Sequence, residues 1–474
     1  MMLKDPGAVL LVSCYELGHE PHGVSVPAAF LERAGFRPAR LDLSQCRLDE
    51  GAVRAARFVG LAVPMHTALR IGADTMRRVR AINPRAFVCG YGLYAWLNAE
   101  YLLDGLADAV IGGEYEDALA RLVRDLDAGG DGAVPGVWRR GRPAAPVLER
   151  LDFPVPSRAP APAPYARLVR DGRELAAGYT ETTRGCLHHC LHCPIPAVYG
   201  GRFFAVPRDV VLEDVRRQVA AGARHITFGD PDFLNGPAHG LRVARALHAE
   251  FRDVTFDVTA KVEHLLRHRD LLPELAELRC VFVVSAVESL SDRVLAALDK
   301  GHSRRDALDV AGVVRRAGIT LRPSLLPFTP WATLADYREL LDWVAAEDLI
   351  DCVDPVQWSI RLLVPPGSLL LSRAAMTPYL AGLDAESLTY RWIHPDPRMD
   401  RMHEVVSAVV ADGAAAGEGV ETTFGRVRNA ALQCGMRNVE CGMEERATIP
   451  HSAFDIPHFT ARPPSPRLTE PWFC

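Results

Sequence analysis

The chain predicts an α/β fold in two parts, a doubly wound parallel sheet followed by a partial (βα)6 barrel, with a helical extension and an irregular tail behind them. Three observations carry this. Short apolar runs alternate with helical stretches from Ala8 to Leu126. A proline-rich stretch, Pro154 to Pro164, then interrupts the rhythm, and the alternation resumes at Gly178. Strands alternating with helices of this length form parallel sheets, because each crossover helix must pack back on the sheet. The expected boundaries are 1–126 for the first domain, 127–177 for a linker, 178–370 for the barrel and 371–474 for the helical region and tail.

In the first part, Ala8–Cys14, Arg57–Pro64, Ala86–Gly90 and Ala107–Ile111 read as strands. Val24–Ala34, Ile71–Ile82 and Tyr115–Leu126 read as helices with one apolar face. In the second part, strands are expected at Gly178–Thr183, His225–Gly229, Val254–Ala260, Cys280–Ala286, Ile319–Pro323 and Val356–Leu362. Val211, Val215 and Val219 repeat at helical spacing within Arg208–Ala221, and Gly222 ends that helix. Met402–Ala416 is the clearest helix of the last part.

Composition narrows the function classes. Of 474 residues, 49% are hydrophobic and 24% charged, as in a soluble globular protein. A net charge of −5 offers no electrostatic case for a nucleic-acid partner. No apolar run approaches the ~18 residues of a membrane span, and the N-terminus lacks the features of a signal peptide. A cytoplasmic protein is therefore expected. There are eleven cysteines, an odd number, and three of them crowd between positions 186 and 193. In a reducing compartment such a clump points to a metal or iron–sulfur site rather than to disulfides.

That clump reads Thr182-Thr183-Arg184-Gly185-Cys186-Leu187-His188-His189-Cys190-Leu191-His192-Cys193. Thiolates at C-x3-C-x2-C can ligate three irons of a [4Fe–4S] cubane and leave the fourth open. A zinc knuckle of the three cysteines with His188, His189 or His192 is the competing reading. The spacing, with His192 before the third cysteine, resembles the radical-SAM signature. The preceding Thr-x-Arg-Gly is similar to members that carry an N-terminal cobalamin-binding-type domain. The resemblance implies that S-adenosylmethionine (SAM) chelates the open iron. By the same resemblance, Asp230 and Asp232 of Gly229-Asp230-Pro231-Asp232-Phe233 stand where relatives hold the methionine amino group. Glu288, at a strand end, is placed to meet the ribose or carboxylate. Lys261, Arg322 and Arg361 are further candidates for cofactor contact, since barrels set their active sites at the carboxyl ends of strands.

The N-terminal runs Ala86-Phe87-Val88-Cys89-Gly90-Tyr91-Gly92 and Ile111-Gly112-Gly113-Glu114-Tyr115-Glu116 resemble later strand ends of the cobalamin-binding fold. The Asp-x-His-x-x-Gly of its usual lower-ligand histidine is missing. Two readings stay open: a cobalamin held without a histidine ligand, or a relic domain that shapes the substrate pocket. His19 and His22 are expected as loop residues on the surface.

The ending Leu468-Thr469-Glu470-Pro471-Trp472-Phe473-Cys474, with Val198-Tyr199-Gly200-Gly201-Arg202 after the cluster, resembles radical-SAM proteins with Cys-Sec-Ala-Glu-Pro or Cys-Cys-Ala-Glu-Pro tails. That resemblance implies a redox-active Cys474 in a chain continuing with selenocysteine or cysteine; a frayed terminus is the other reading. Cys434 and Cys441 stand as second-cluster ligands or as stray helix cysteines, and Cys280 and Cys352 as buried small hydrophobes. The function expected is reductive SAM cleavage acting on a small metabolite or natural-product precursor, fed by an electron donor such as flavodoxin or ferredoxin. Radical methylation and carbon–sulfur or carbon–heteroatom bond formation, including 3-amino-3-carboxypropyl transfer, are the two sub-readings. A non-catalytic iron–sulfur electron carrier or redox sensor is the alternative class.

Overall fold

The computed structural model describes residues 2–158, 165–436 and 464–470. Its first sheet has the order β2-β1-β3-β4-β5-β6. The strands are β1 (Val9–Ser13), β2 (Ala39–Asp42), β3 (Phe58–Ala62), β4 (Phe87–Tyr91), β5 (Ala109–Ile111) and β6 (Val137–Trp138). The first five run parallel and β6 closes the edge antiparallel to β5. Alternation along β1 explains the double winding. Val9 and Leu11 join the core that includes Val24, Val26 and Phe30 of the helix His22–Arg33. Leu10 and Val12 join the core on the other face, with Leu69, Ala73 and Met76 of the helix His66–Ile82. Sequence reading passed over β2, whose four residues are all only half-buried.

The second sheet has the order β14-β13-β12-β11-β8-β7-β17. Its parallel run comprises β8 (Arg173–Thr180), β11 (His225–Phe228), β12 (Thr255–Thr259), β13 (Cys280–Glu288) and β14 (Thr320–Leu325). Two antiparallel strands extend it past β8, namely β7 (Arg167–Arg170) and β17 (Arg467–Leu468). A small hairpin, β9 (Thr183–Gly185) with β10 (Phe203–Ala205), stands at the carboxyl end of β8. The curled, open sheet is the partial barrel expected. Its sixth strand is not: residues Pro355–Ser359 form a 3-10 helix, and Arg361 makes only an isolated parallel bridge to Phe328. Pro355 at the start of that segment favours a helical turn over ladder pairing. The stretch 127–177 supplies β6 to the first sheet and β7 with the start of β8 to the second.

Helices Pro397–Ala416 and Val420–Met436 pack against each other beyond β14, near the 3-10 turn. Between barrel and helices, the hairpin β15 (Leu380–Asp384) and β16 (Thr389–Trp392) reaches back to the first domain. Leu388 at its tip is buried in that domain's core, and His66 Nε2 meets Ser387 O at 2.8 Å. Among the described residues, no helix is long and apolar enough to cross a membrane.

Candidate active site

The carboxyl ends of both sheets open on one cavity of about 520 Å³. One wall carries Glu16, Pro64, Met65, Gly92 and Tyr115 of the first domain; the facing wall carries Cys186, Cys190 and Cys193. Both parallel sheets therefore present the ends where α/β proteins place their ligands.

The cysteine loop is built by its neighbours in sequence. Gly185 takes φ +73°, and a Cβ there would lie 2.4 Å from Arg202 O and 2.6 Å from Tyr199 Cδ1, so only glycine fits ahead of Cys186. Cys193 immediately precedes the helix Pro194–Tyr199. Asn235 Oδ1 receives Leu187 N at 3.3 Å and lies 3.8 Å from Cys186 Sγ. Burial pushes the thiol pKa of both Cys186 and Cys193 up, so a metal bound there would have to displace their protons. Among the described residues no other cysteine lines the cavity. Three thiols converging on one open cavity fit a cubane with one iron left for an exogenous ligand.

Asp230 is buried and fully engaged. It accepts Thr182 N at 2.6 Å, Thr182 Oγ1 at 2.5 Å and Thr183 Oγ1 at 2.7 Å, which fixes the strand end that leads to the cysteines. Burial still raises its pKa to about 7, against the lowering by these bonds. Glu288, at φ +62°, accepts Lys300 Nζ at 3.0 Å and lies 3.2 Å from His192 Nε2. Burial works against its charge, yet Lys300 and His192 hold its carboxyl well below the ordinary range. Lys300, unnoticed in the sequence, thus sits on the cavity wall beside the third cysteine's histidine neighbour.

The remaining candidates separate. Lys261 lines the cavity, 3.7 Å from Glu263. Arg322 also lines it, pairs with Asp354 at 3.2 Å and donates to Pro466 O at 3.4 Å. Arg361 reaches the wall but is tied to Asp400 at 2.7 Å and stacks on Trp392 at 3.7 Å. Asp232 is fully buried and is not on the cavity wall. Cys441 and Cys474 lie outside the described residues. Cys434 is half-buried in the last helix, and Cys280 and Cys352 are buried as expected. The tail that leads toward Cys474 places Leu468 and Glu470 on the cavity wall.

His19 and His22 are not surface residues. They are 4% and 7% exposed, packed around the Tyr179 ring at the seam between domains. The same seam holds a buried ion cluster. Arg184 Nη1 lies 2.5 Å from Glu116 Oε1 and 3.8 Å from Glu114, while its Nε donates to Glu181 at 2.8 Å. Tyr199 donates to Glu114 at 2.8 Å. Arg184 and Glu116 were each visible in their motifs, but no local signal pairs them.

Comparison with known proteins agrees with this geometry. Residues 180–344 match the family model of the Radical SAM superfamily, so this part of the chain is a radical-SAM domain. The hopanoid C-3 methylase of Methylococcus capsulatus is 25% identical over 54% of the chain and 50% of its own length. In general the chain spans about half the length of the curated relatives it matches. Among solved structures, the radical S-adenosylmethionine methyltransferase TsrM of Kitasatospora setae shares the fold with TM-score 0.59 and 21% identity, covering 72% of this chain and 71% of that one. The cobalamin-dependent S-adenosylmethionine radical enzyme OxsB shares it with TM-score 0.67 and 14% identity, covering 86% and 67%.

Proposed function

We propose that the protein is a radical-SAM enzyme with cobalamin as second cofactor, acting on a small, largely apolar molecule by methyl transfer. One observation carries this reading: the three cysteines and the strand ends of the first domain face each other across a single cavity. When bound, a [4Fe–4S] cluster on Cys186, Cys190 and Cys193 with SAM, and cobalamin on the opposite wall, would supply reductive SAM chemistry and a methyl carrier. The chain's own residues orient and enclose. Glu288 and Lys300 offer a fixed pair of charges beside the cysteine loop, suited to the polar groups of SAM. Pro64, Met65, Gly92 and Leu93 form a mostly apolar surface for a broad, flat ligand, with no side chain on Gly92 to obstruct it.

Similarity to the hopanoid C-3 methylase supports the methyl-transfer sub-reading, as does the matching fold of TsrM. Carbon–sulfur or carbon–heteroatom bond formation, including 3-amino-3-carboxypropyl transfer, is the second sub-reading. A small donor such as flavodoxin or ferredoxin would supply the electron. Cys474, which lies outside the described residues, would act as a redox-active thiol, a role supported by the position of Glu470 on the cavity wall. The test is anaerobic incubation of reconstituted protein with reductant and SAM carrying a labelled methyl group. Transfer of the label to a small acceptor upholds methylation, and transfer of the aminocarboxypropyl group instead selects the second reading. An electron carrier would cleave no SAM at all.

A further inference from the structure

Behind the cysteine loop lies a second convergence of metal-binding atoms. His188 comes from the loop itself, Asp232 from the turn after β11, and His264 from the helix Val262–Arg267. Asp232 Oδ2 is 2.7 Å from His264 Nδ1 and 3.7 Å from His188 Nε2, and one ligand atom from each residue falls within 4.8 Å of the others. Asp232 is 0% and His264 5% exposed.

These atoms are near one another without being satisfied. His188 Nε2, Asp232 Oδ2 and His264 Nδ1 are all buried and none makes a well-aligned hydrogen bond among the described residues; the 2.7 Å approach of Asp232 to His264 is an ion pair only when that imidazole is protonated. A buried polar atom left in that state is destabilising, and here three such atoms lie within 4.8 Å of one another. The other oxygen of Asp232 accepts Leu234 N at 3.0 Å, which fixes the carboxylate with Oδ2 turned toward the histidines. Glu263 Oε2 stands 3.7 Å from His188 Nδ1, on the side where a carboxylate commonly orients a metal-bound imidazole.

We propose that His188, Asp232 and His264 bind one divalent transition-metal ion of the zinc type, at a site separate from the three cysteines. Two imidazoles and one carboxylate form a set that zinc accepts with a fourth position left to water, while magnesium and calcium prefer all-oxygen sets. Bound there, the ion would staple the cysteine loop to the ends of β11 and β12, since its three ligands come from those three segments.

The experiment uses the full chain with its cluster reconstituted anaerobically. Metal analysis should give about one zinc per chain in addition to the iron. Cobalt(II), used as a spectroscopic probe, should develop visible d–d bands. His264→Ala and Asp232→Asn should each reduce zinc to background and abolish the cobalt bands while the cluster absorption persists. Cys190→Ala should do the reverse, losing iron and keeping zinc, so failure of the cluster assignment and failure of this one look different. His188→Gln serves as a further variant if the two buried ones do not fold. Full-cluster protein that takes up neither zinc nor cobalt would overturn the proposal. So would zinc that survives His264→Ala or His188→Gln and disappears with Cys190→Ala, which would place it on the cysteines.

Discussion

Arg184 and Glu116, 68 residues apart in the chain, lie 2.5 Å apart in the structure and join the radical-SAM domain to the domain before it. Arg184 stands two positions ahead of Cys186, so the contact ties the start of the cysteine loop to the opposite wall of the cavity. Arg184→Met should leave Glu116 as an unmatched buried carboxylate and cost about 3–5 kcal/mol. Thermal unfolding and iron content measure it. A variant that unfolds like the parent and keeps its iron would show that the pair carries little.

Cys186→Ala, Cys190→Ala and Cys193→Ala should each abolish the cluster absorption and all formation of 5′-deoxyadenosine, since each removes one of the three proposed ligands. Parent-rate cleavage by any one of them would contradict the assignment.

Asp230 and Glu288 should behave differently from each other. Asp230 spends its carboxylate on Thr182 and Thr183, so Asp230→Ala should lower stability and iron content together. Hydrogen bonds to a charged group contribute roughly 1.5–3 kcal/mol. Glu288→Gln should keep the iron and weaken SAM binding about ten- to a hundredfold, if the same range applies to one lost contact. Titration of SAM against both reconstituted variants separates the two roles.

Glu16 gives a pH dependence. Burial raises its pKa to about 8, with Glu181 and Asp42 adding to the effect and Gly23 N opposing it. An unfolded glutamate ionises near ~4.3. Between these values the folded protein keeps a proton that the unfolded chain has released, so stability falls as pH rises and levels off above about 8. Melting temperatures of the parent and Glu16→Gln, taken from pH 5 to 9, should diverge in favour of the variant as pH rises. Parallel curves would mean that Glu16 ionises normally.

The tail has its own anchor. Tyr15 donates to Glu470 at 2.6 Å, which holds the segment after β17 against the first domain. Tyr15→Phe should release it and speed limited proteolysis between β17 and the C-terminus, with stability reduced by at most about 1.5–3 kcal/mol. Unchanged cleavage would show that β17 alone holds the tail.

The sequence by itself determined the alternation of strands and helices and the position of the three cysteines. Both are encoded in short windows: buried parallel strands need near-continuous apolar runs such as Val9-Leu10-Leu11-Val12, and a loop that grips one cluster carries its ligands a few residues apart. Tertiary structure alone decided which distant groups met. The partners of Asp230 were hidden because Thr182 and Thr183 are ordinary residues until β8 and β11 lie side by side. The burial of His19 and His22 depends on Tyr179, which comes from the other domain. The sixth strand did not form because Pro355 opens a 3-10 turn there, and past β14 the segment packs on the C-terminal helices instead. The His188, Asp232 and His264 convergence draws on three segments with no common motif, so only the packing of a loop, a turn and a helix could bring it together.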